Sequence, residues 1–468
     1  MNSDTKKALI ISHRFPFPPN KGEKIRTFHQ SLFLQEQGFT VSIKSLSDDP
    51  IDVGHAEVLE KTYDIKSTLF PIASGISRLV NYAYALLSGK SFTEAHFASS
   101  DLARKLAQLS LSDYQVILLT GSGLTPYLAA LKSASRTSSR AASASSGNPI
   151  ITPLKLLDFM DVDSDKWLQY QEKSSGLKRL IYRREAKKVL ALEQRASELA
   201  DTCFLISQNE VDRFQELHSA ALEHSALALP LVLGNGVSFD AFPAVSFQSI
   251  DINTPAHFVF MGVMDYLPNE DAARFFALDI FPTIRNAHPN ARFTIVGMNP
   301  SEEVSALSNL PGVTVTGLVE SVQPFLEQAH IFVSPFRLAR GVQNKVLQAM
   351  SSQLAVVSSA MGNEGINAPA LHYETTAGGA ITHTEKDESS TAPATERMPA
   401  LYIANNAQSF ASACLDLLDD ESKRRALAVR GRAFVLRKFS WTAQLAPLGQ
   451  CLRDHGAPYQ PNPVDANK

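Results

Sequence analysis

Short apolar runs alternate with helical stretches along this chain, and no other feature of the sequence constrains the fold as strongly. Each run has the length and composition of a buried strand. In the first half, strands are predicted at residues 8–12, 40–46, 115–120, 154–159 and 202–207, and helices at residues 23–37 and 177–200. Strands that alternate with helices indicate a parallel sheet covered on both faces.

The same alternation restarts in the second half of the chain. Strands are predicted at residues 257–262, 292–297, 313–317, 330–335 and 354–359, and helices at residues 269–286 and 342–351. A second doubly wound unit is therefore expected. Because 468 residues exceed what one hydrophobic core usually organises, two domains agree with the length as well.

The boundary between the two units is predicted in the polar stretch at residues 235–254. We assign residues 1–240 to an N-terminal Rossmann-like domain and residues 241–440 to a C-terminal one. Residues 441–468 are expected to form a helix that packs back on the N-terminal domain, followed by a tail. Helices near this end are predicted at residues 407–418, 422–439 and 441–453.

Two segments have the composition of inserts. Residues 133–148 are almost entirely Ser, Ala and Arg, and residues 374–399 are rich in Thr, Ala, Glu and Ser. Neither segment has enough apolar side chains to offset the entropy lost on ordering. Both are predicted to be mobile surface loops.

Charge and cysteine content exclude several classes of protein. The 44 Lys and Arg residues against 47 Asp and Glu give a formal net charge of −3, which offers no electrostatic reason to expect nucleic acid as a partner. Three distant cysteines, Cys203, Cys414 and Cys451, exclude a disulfide framework and a cysteine-rich metal site. No secretion signal or membrane-spanning run appears, so a cytoplasmic location is expected.

Residues 76–87 form an amphipathic helical stretch that is unusually apolar. A stripe of this kind normally faces the core, and that interpretation is favoured. The alternative is a peripheral contact with the inner face of a membrane.

Ligands of open α/β sheets bind outside the carboxyl ends of the strands, so the residues that follow each strand are the candidates for a site. After the first strand, Lys21 and Gly22 precede a helix whose free amides favour an anion. Gly22 also lets a ligand approach the backbone closely. Lys24 and Arg26 add positive charge. A plain turn with a solvated basic face is the alternative.

Four aspartates follow a later strand of the first half, at Asp158, Asp161, Asp163 and Asp165. Lys166 stands where a calcium loop requires glycine, so no calcium site is expected. We expect these carboxylates to bind sugar hydroxyls or to position an acceptor, with Asp161 and Asp163 as the catalytic candidates. The alternative, an aspartate that caps a helix, explains one or two of the four.

Two loops of the second half follow strands in the same way. Gly262 ends a strand and permits a phosphate or sugar to approach, and Asn269 is expected to cap the next helix. A later helix is predicted to begin at Gly341 and Val342. Its free amides would then lie beside Lys345, an arrangement that suits a diphosphate.

Three segments carry motifs that are specific in combination: FPFPPNKGEKIR at residues 15–26, DFMDVDSDKW at residues 158–167 and RGVQNKVLQAM at residues 340–350. In this order they resemble motifs of GT-B glycosyltransferases of the family 4 type. Within that family the resemblance is to the sugar transferases associated with bacterial exosortase (PEP-CTERM) exopolysaccharide loci. It extends from about residue 8 to residue 453, apart from the two inserts.

The resemblance implies a GT-B fold, in which two Rossmann-like domains face each other across a cleft, and a retaining transfer that needs no metal and no cofactor. A nucleotide-diphosphate sugar would be held mainly by the C-terminal domain, and a lipid-linked or polysaccharide acceptor by the N-terminal one. Lys345 would contact the diphosphate and Glu364 the sugar. The full set of donor-binding candidates is Lys21, Gly22, Gly262, Asn269, Arg340, Gly341, Val342, Asn344, Lys345, Gln348 and Glu364.

One position departs from the pattern of the family. Gln348 stands where the subgroup usually has a glutamate that holds the ribose, and an amide accepts a hydrogen bond without carrying charge. Two alternatives to a glycosyltransferase of exopolysaccharide biosynthesis stay open. One is a non-catalytic nucleotide-sugar-binding relative or scaffold, and the other is a sugar-nucleotide epimerase, which shares the two-domain plan.

Overall fold

A computed structural model describes most of the chain. The described residues are 6–20, 22–142, 152–172, 174–224, 228–251, 254–338, 341–376, 379–385 and 398–456. They form two compact units, residues 1–235 with 444–468 and residues 236–443. Within the described ranges, no helix has both the length and the apolar character needed to span a bilayer.

The first unit is built on a seven-stranded parallel sheet in the order β3-β2-β1-β4-β5-β6-β7. Its strands are β1 (Lys7–Ser12), β2 (Thr40–Ser47), β3 (Lys66–Pro71), β4 (Val116–Thr120), β5 (Leu154–Met160), β6 (Thr202–Leu205) and β7 (Leu231–Val232). Its helices are α1 (Gly22–Glu36), α2 (Asp52–Tyr63), α3 (Gly75–Ser88), α4 (Phe92–His96), α5 (Ser100–Ala107), α6 (Thr125–Ala142), α7 (Asp163–Glu172), α8 (Gly176–Leu199), α9 (Gln208–Leu217) and α10 (Ser219–His224).

The second unit is built on an eight-stranded sheet in the order β10-β9-β8-β11-β12-β15-β13-β14. Its strands are β8 (His257–Met261), β9 (Arg292–Val296), β10 (Val313–Val315), β11 (Ile331–Ser334), β12 (Ala355–Ser358), β13 (Ala370–Thr375), β14 (Ile381–Glu385) and β15 (Leu401–Ala404). Its helices are α11 (Leu267–Phe275), α12 (Phe281–Ala287), α13 (Glu302–Ala306), α14 (Gln323–Glu327), α15 (Asn344–Ser351), α16 (Ala360–Asn363), α17 (Ala407–Asp419) and α18 (Glu421–Phe439). At the unit boundary lies α19 (Trp441–Gln444), and α20 (Ala446–Asp454) belongs to the first unit.

The prediction of two doubly wound α/β units is confirmed. All pairs in both sheets are parallel except β13 with β14. Strand β8 shows why the apolar runs identify such sheets. Phe258 and Phe260 pack into the core on one face, and Val259 and Met261 pack into the core on the other. A strand buried on both faces is apolar at every position.

The interpretation of both low-complexity segments as loops is wrong in part. Helix α6 continues through residues 133–142, since Ala and Arg favour helix and the preceding turns are fixed by the buried Leu128 and Leu131. Strand β14 forms an antiparallel hairpin with β13 inside the second segment. The alternating Thr residues of ITHTE suit a half-exposed strand. Residues 143–148, 377–378 and 386–397 lie outside the described residues.

The core-facing interpretation of residues 76–87 is also wrong. Of the residues of α3, Ala85 alone is buried. Leu87 is 88% exposed and Ile76 is 81% exposed. Sequence periodicity reports that a helix has an apolar face, but it does not report whether another element covers that face.

Candidate functional site

In each sheet the connections run outward in opposite directions from one pair of neighbouring strands. Ligands of open α/β sheets bind at the carboxyl ends of such a pair. The pair is β1 and β4 in the first unit, and β8 and β11 in the second. The loops that follow these four strands carry most of the candidates from the sequence.

Lys345 is the cation at the carboxyl ends of β8 and β11 in the second unit. Its ammonium lies 5.8 Å from the ring centre of Phe260 in β8 and 4.7 Å from that of Phe336, two residues past the end of β11. Burial lowers the pKa of Lys345 to about 8. No carboxylate of the described residues pairs with it. The arrangement leaves a poorly hydrated positive charge for an anionic ligand.

Asn269 holds this ammonium in place. Its side-chain oxygen accepts a hydrogen bond from Nζ of Lys345 at 2.6 Å, and its Nδ2 donates to the carbonyl of Val263 at 2.8 Å. A Cβ atom at Gly262 would lie 2.7 Å from that Nδ2, so the glycine makes room for the amide. The expected helix cap is wrong: α11 begins at Leu267, and Asn269 is its third residue.

The helix that carries Lys345 begins later than predicted. Gly341 has a left-handed φ of 68°, and α15 starts at Asn344 after Gln343, whose side chain makes no cap. The first amides of a helix have no intrahelical acceptor, so those of Asn344 and Lys345 suit an anion. The amide of Val342 is 3.1 Å from the position that a Cβ of Gly365 would take.

Two other donor candidates are placed less tightly, and a third lies outside the described residues. Glu364 is exposed next to Gly365, and so lies near the loop that precedes α15. Gln348 is half-buried one turn along α15. Arg340 lies outside the described residues. Arg337 pairs with Asp271 at 2.5 Å, so its charge is already matched.

In the first unit, the four aspartates separate into two structural and two candidate groups. Asp158 is fully buried and accepts hydrogen bonds from Arg26 at 2.5 and 2.9 Å. Asp165 pairs with Arg213 at 2.6 Å. Asp161 and Asp163 have no ion-pair partner among the described residues, and their catalytic role stays a prediction.

Asp163 is the better placed of these two carboxylates. It is the first residue of α7 and accepts a 2.5 Å hydrogen bond from Oγ of Ser122, which follows β4. Burial raises its pKa to about 6, and the Glu193 carboxylate acts in the same direction. A carboxyl group with this pKa can exchange a proton near neutral pH. Partial desolvation also raises the pKa of Asp161, although the residue is exposed overall.

His13 belongs to this cluster, but the sequence argument did not assign it to a site. It follows β1, and its Nδ1 lies 2.8 Å from the carbonyl of Thr120 at the end of β4. Its Nε2 lies 3.5 Å from Glu23. The imidazole contributes to lowering the pKa of Asp163. The position of His13 directly after the first strand was the available signal.

The loop after β1 contributes less positive charge than expected. Arg26 is 1% exposed and is bound to Asp158, so the expectation that it faces an anion is wrong. Gly22 is the first residue of α1, and a Cβ there would meet nothing within 4 Å. Lys21 lies outside the described residues. No group of three His, Cys, Asp or Glu side chains in the described part of the chain could hold a metal ion.

Known proteins resemble this chain in part of its sequence and in its fold. Residues 255–420 match the family model of glycosyl transferases group 1. No curated protein matches the chain in sequence. Several solved structures resemble it along nearly its whole length at low identity. Two of them are Anabaena HepE in complex with UDP (TM-score 0.55, 10% identity, 96% of this chain and 100% of that one) and a glycosyltransferase from Rickettsia africae (0.53, 12%, 96% and 98%).

WaaG, a glycosyltransferase involved in lipopolysaccharide biosynthesis, is similar over 95% of this chain and 99% of its own, with a TM-score of 0.52 and 13% identity. Identities this low show the fold and nothing finer. The chain therefore has the GT-B fold, and the match to glycosyl transferases group 1 lies within its second unit.

Proposed function

We propose that this protein transfers a sugar from a nucleotide-diphosphate donor to a lipid-linked or polysaccharide acceptor in exopolysaccharide biosynthesis. The observation that carries the proposal is Lys345. Its ammonium lies at the carboxyl ends of β8 and β11, with no carboxylate partner among the described residues, and Lys345 is the second residue of α15. It lies within the residues that match glycosyl transferases group 1. The resemblance of residues 340–350 supports the assignment to exopolysaccharide biosynthesis.

The donor half of the reaction is an electrostatic task. When the bond between sugar and phosphate breaks, negative charge develops on the diphosphate. The Lys345 ammonium and the first amides of α15 stabilise that charge, and Asn269 keeps the ammonium in position. Fixed donors aimed at developing charge are among the largest contributions to catalysis. In this proposal they replace a metal ion at the leaving group.

The acceptor half of the reaction needs a group that positions or deprotonates a hydroxyl. Asp163, with a pKa raised to about 6, is mostly ionised at pH 7 and can accept a proton. Asp161 is exposed and available to bind the acceptor. Transfer retains the anomeric configuration in this proposal, as the family resemblance implies.

The function is tested with a panel of UDP- and GDP-sugars. HepE has been solved with UDP-glucose, so that donor is tried first. Thermal unfolding should shift upward with the matching nucleotide, and transfer should proceed in EDTA. NMR of the product should show the donor's anomeric configuration. A thermal shift without transfer to any acceptor would favour a non-catalytic relative, and the absence of any shift would overturn the proposal.

The proposal also places the protein at a membrane surface, through α3 and the start of α8. The exposed apolar side chains on these helices are Ile76, Leu79, Val80, Leu86, Leu87, Leu177, Leu180 and Ile181. The two helices are joined because the Arg184 guanidinium donates to the carbonyls of Ala85 and Lys90. Residues 75–90 and 176–188 hold eight Lys and Arg and one Glu, although the whole chain is slightly acidic. Apolar side chains flanked by cations suit an anionic leaflet.

Sedimentation with vesicles tests this contact. The double variant Leu79→Glu/Leu87→Glu should bind at least tenfold more weakly to vesicles of equal parts phosphatidylcholine and phosphatidylglycerol, because burial of each leucine contributes about 1.5–3 kcal/mol. The control Leu318→Glu changes a similarly exposed leucine, at 74%, in the other unit and should bind as the wild type does. Equal binding of both variants, or wild-type dimers that the double variant abolishes, would contradict the membrane contact.

A further inference from the structure

A cavity of about 280 Å³ lies in the first unit, between α3, α4, α5 and the beginning of α6. Its wall is formed largely by small and aromatic side chains: Tyr84, Ala85, Ala95, Ala103, Pro126 and Tyr127. Ligand pockets occupy about 300–1,000 Å³. The volume of this cavity is near the lower limit of that range. It suits a segment of hydrocarbon chain better than a nucleotide.

Three polar side chains of the wall already have partners within the protein. The Tyr127 hydroxyl donates to the Phe97 carbonyl at 2.8 Å and accepts from the Ser99 amide at 2.7 Å. Nδ2 of Asn81 donates to the Ala95 carbonyl. The Glu94 carboxylate accepts from the amide and hydroxyl of Ser91 as part of a helix cap. A ligand would therefore meet an apolar surface, with little polar hydrogen-bonding capacity left.

The rim of the cavity carries a positive charge. Lys90 lines it, is exposed, and has its ammonium 5.6 Å from the ring centre of Tyr84. No carboxylate pairs with this ammonium in the described ranges. Tyr84 and Ala85 belong to α3, so the rim adjoins the exposed apolar face of that helix. An amphiphile matches this arrangement, because its anionic head would face the ammonium and its hydrocarbon chain would face the apolar surface.

The cavity also adjoins the candidate acceptor carboxylates. Gly123 lines it, and a Cβ there would lie 2.4 Å from the Phe97 ring. Phe97 in turn packs edge-on against His13, with the ring centres 5.4 Å apart. The preceding residue, Ser122, donates to Asp163. The turn after β4 therefore contacts both: its Gly123 lines the cavity, and its Ser122 donates a hydrogen bond to the Asp163 carboxylate.

We infer that this cavity binds the hydrocarbon chain of a lipid-phosphate acceptor, with Lys90 meeting the phosphate. The inference rests on the proposed function and narrows it, because a lipid-linked acceptor uses this cavity whereas a polysaccharide acceptor does not.

Calorimetry with dodecyl phosphate tests the inference, with inorganic phosphate and dodecanol as the partial ligands. Ala103→Phe should weaken binding of dodecyl phosphate at least tenfold, because the new ring fills the cavity. Ala107→Phe, one turn along the same helix and also exposed, is the matched control and should leave binding unchanged. Lys90→Gln should reduce the advantage of dodecyl phosphate over dodecanol.

The outcomes separate this inference from the proposed function and from the membrane contact. Ala103→Phe should bind vesicles as the wild type does, since Ala103 lies on α5 and not on the exposed apolar face of α3. Unchanged binding by Ala103→Phe would overturn the inference, as would wild-type protein that binds dodecyl phosphate no better than inorganic phosphate. Sugar transfer to a lipid-phosphate acceptor that Ala103→Phe performs normally would overturn the inference while the proposed function stands. Failure of every nucleotide sugar would overturn the proposed function instead.

Discussion

Replacement of Lys345 by methionine should lower kcat/KM for sugar transfer by about 10²- to 10³-fold, the cost of removing one preorganised donor from developing charge. Methionine keeps the length and apolar contacts of the lysine stem, so the packing against Phe336 should survive. Calorimetry with the matching nucleotide diphosphate should show weaker binding as well. The control Lys423→Met removes a surface lysine of the same unit that pairs with Asp416 at 2.6 Å, and it should transfer sugar normally.

The pH dependence gives an independent check on the same group. Burial lowers the pKa of Lys345 to about 8, so the charged form dominates below that pH and is lost as the pH rises through it. Because kcat/KM reports the free enzyme, it should fall on the alkaline side with an apparent pKa near 8. Lys345→Met should lack this limb. If Lys345→Met keeps the alkaline fall of kcat/KM, or transfers sugar as well as the wild type does, Lys345 is not part of the donor site.

Asp158→Asn should lower the free energy of unfolding of the first unit by about 3–5 kcal/mol, because it leaves the Arg26 guanidinium buried without its counter-charge. Arg26 and Asp158 are 1% and 0% exposed, and Gln30 also donates to the same carboxylate at 2.5 Å. Asp165→Asn is the matched control. Its pair with Arg213 is partly solvated, so its loss should cost no more than about 1 kcal/mol.

Urea unfolding followed by tryptophan fluorescence measures this difference. The chain has two tryptophans: Trp167 lies in the first unit and Trp441 in the second. In a Trp441→Phe background, the emission of Trp167 reports the first unit alone. Asp158→Asn and Asp165→Asn could instead lower the free energy of unfolding equally, with the same m-value. The buried ion pair would then contribute no more to stability than the partly solvated one.

Central strands could be predicted from the sequence, whereas edge elements could not. The strand predicted at residues 115–120 spans Val116–Thr120 in the structure, because a central strand buried on both faces leaves a nearly continuous apolar run. Strand β3 lies at the edge of its sheet, and Phe70 alone of its six residues is buried, so it lacks the long apolar run of a central strand. Strand β14 lies at the edge of the second sheet and was missed for the same reason, since ITHTE has a single apolar residue.

Loops that carry candidate residues could be located from the sequence, but the partners of those residues could not. Strand ends identified the loops with Asp163 and Lys345. Arg26 and Asp158 lie 132 positions apart, and only the packing of α1 against the sheet brings them together. The link from Asn269 to Lys345 spans 76 positions in the same way. From the local sequence, Arg26 was therefore expected to face a ligand and Asn269 to cap a helix. In the structure, each forms a hydrogen bond with a side chain that is distant in sequence.

The amide of Asn269 has a consequence for how strongly Lys345 can attract an anion. An aspartate in its place would form an ion pair with the ammonium and cancel much of its field before any substrate arrived. A carboxamide fixes the same geometry through a dipole and leaves the unit charge intact. The lysine is thus immobilised by a neutral neighbour, and its electrostatic attraction stays directed at whatever phosphate enters.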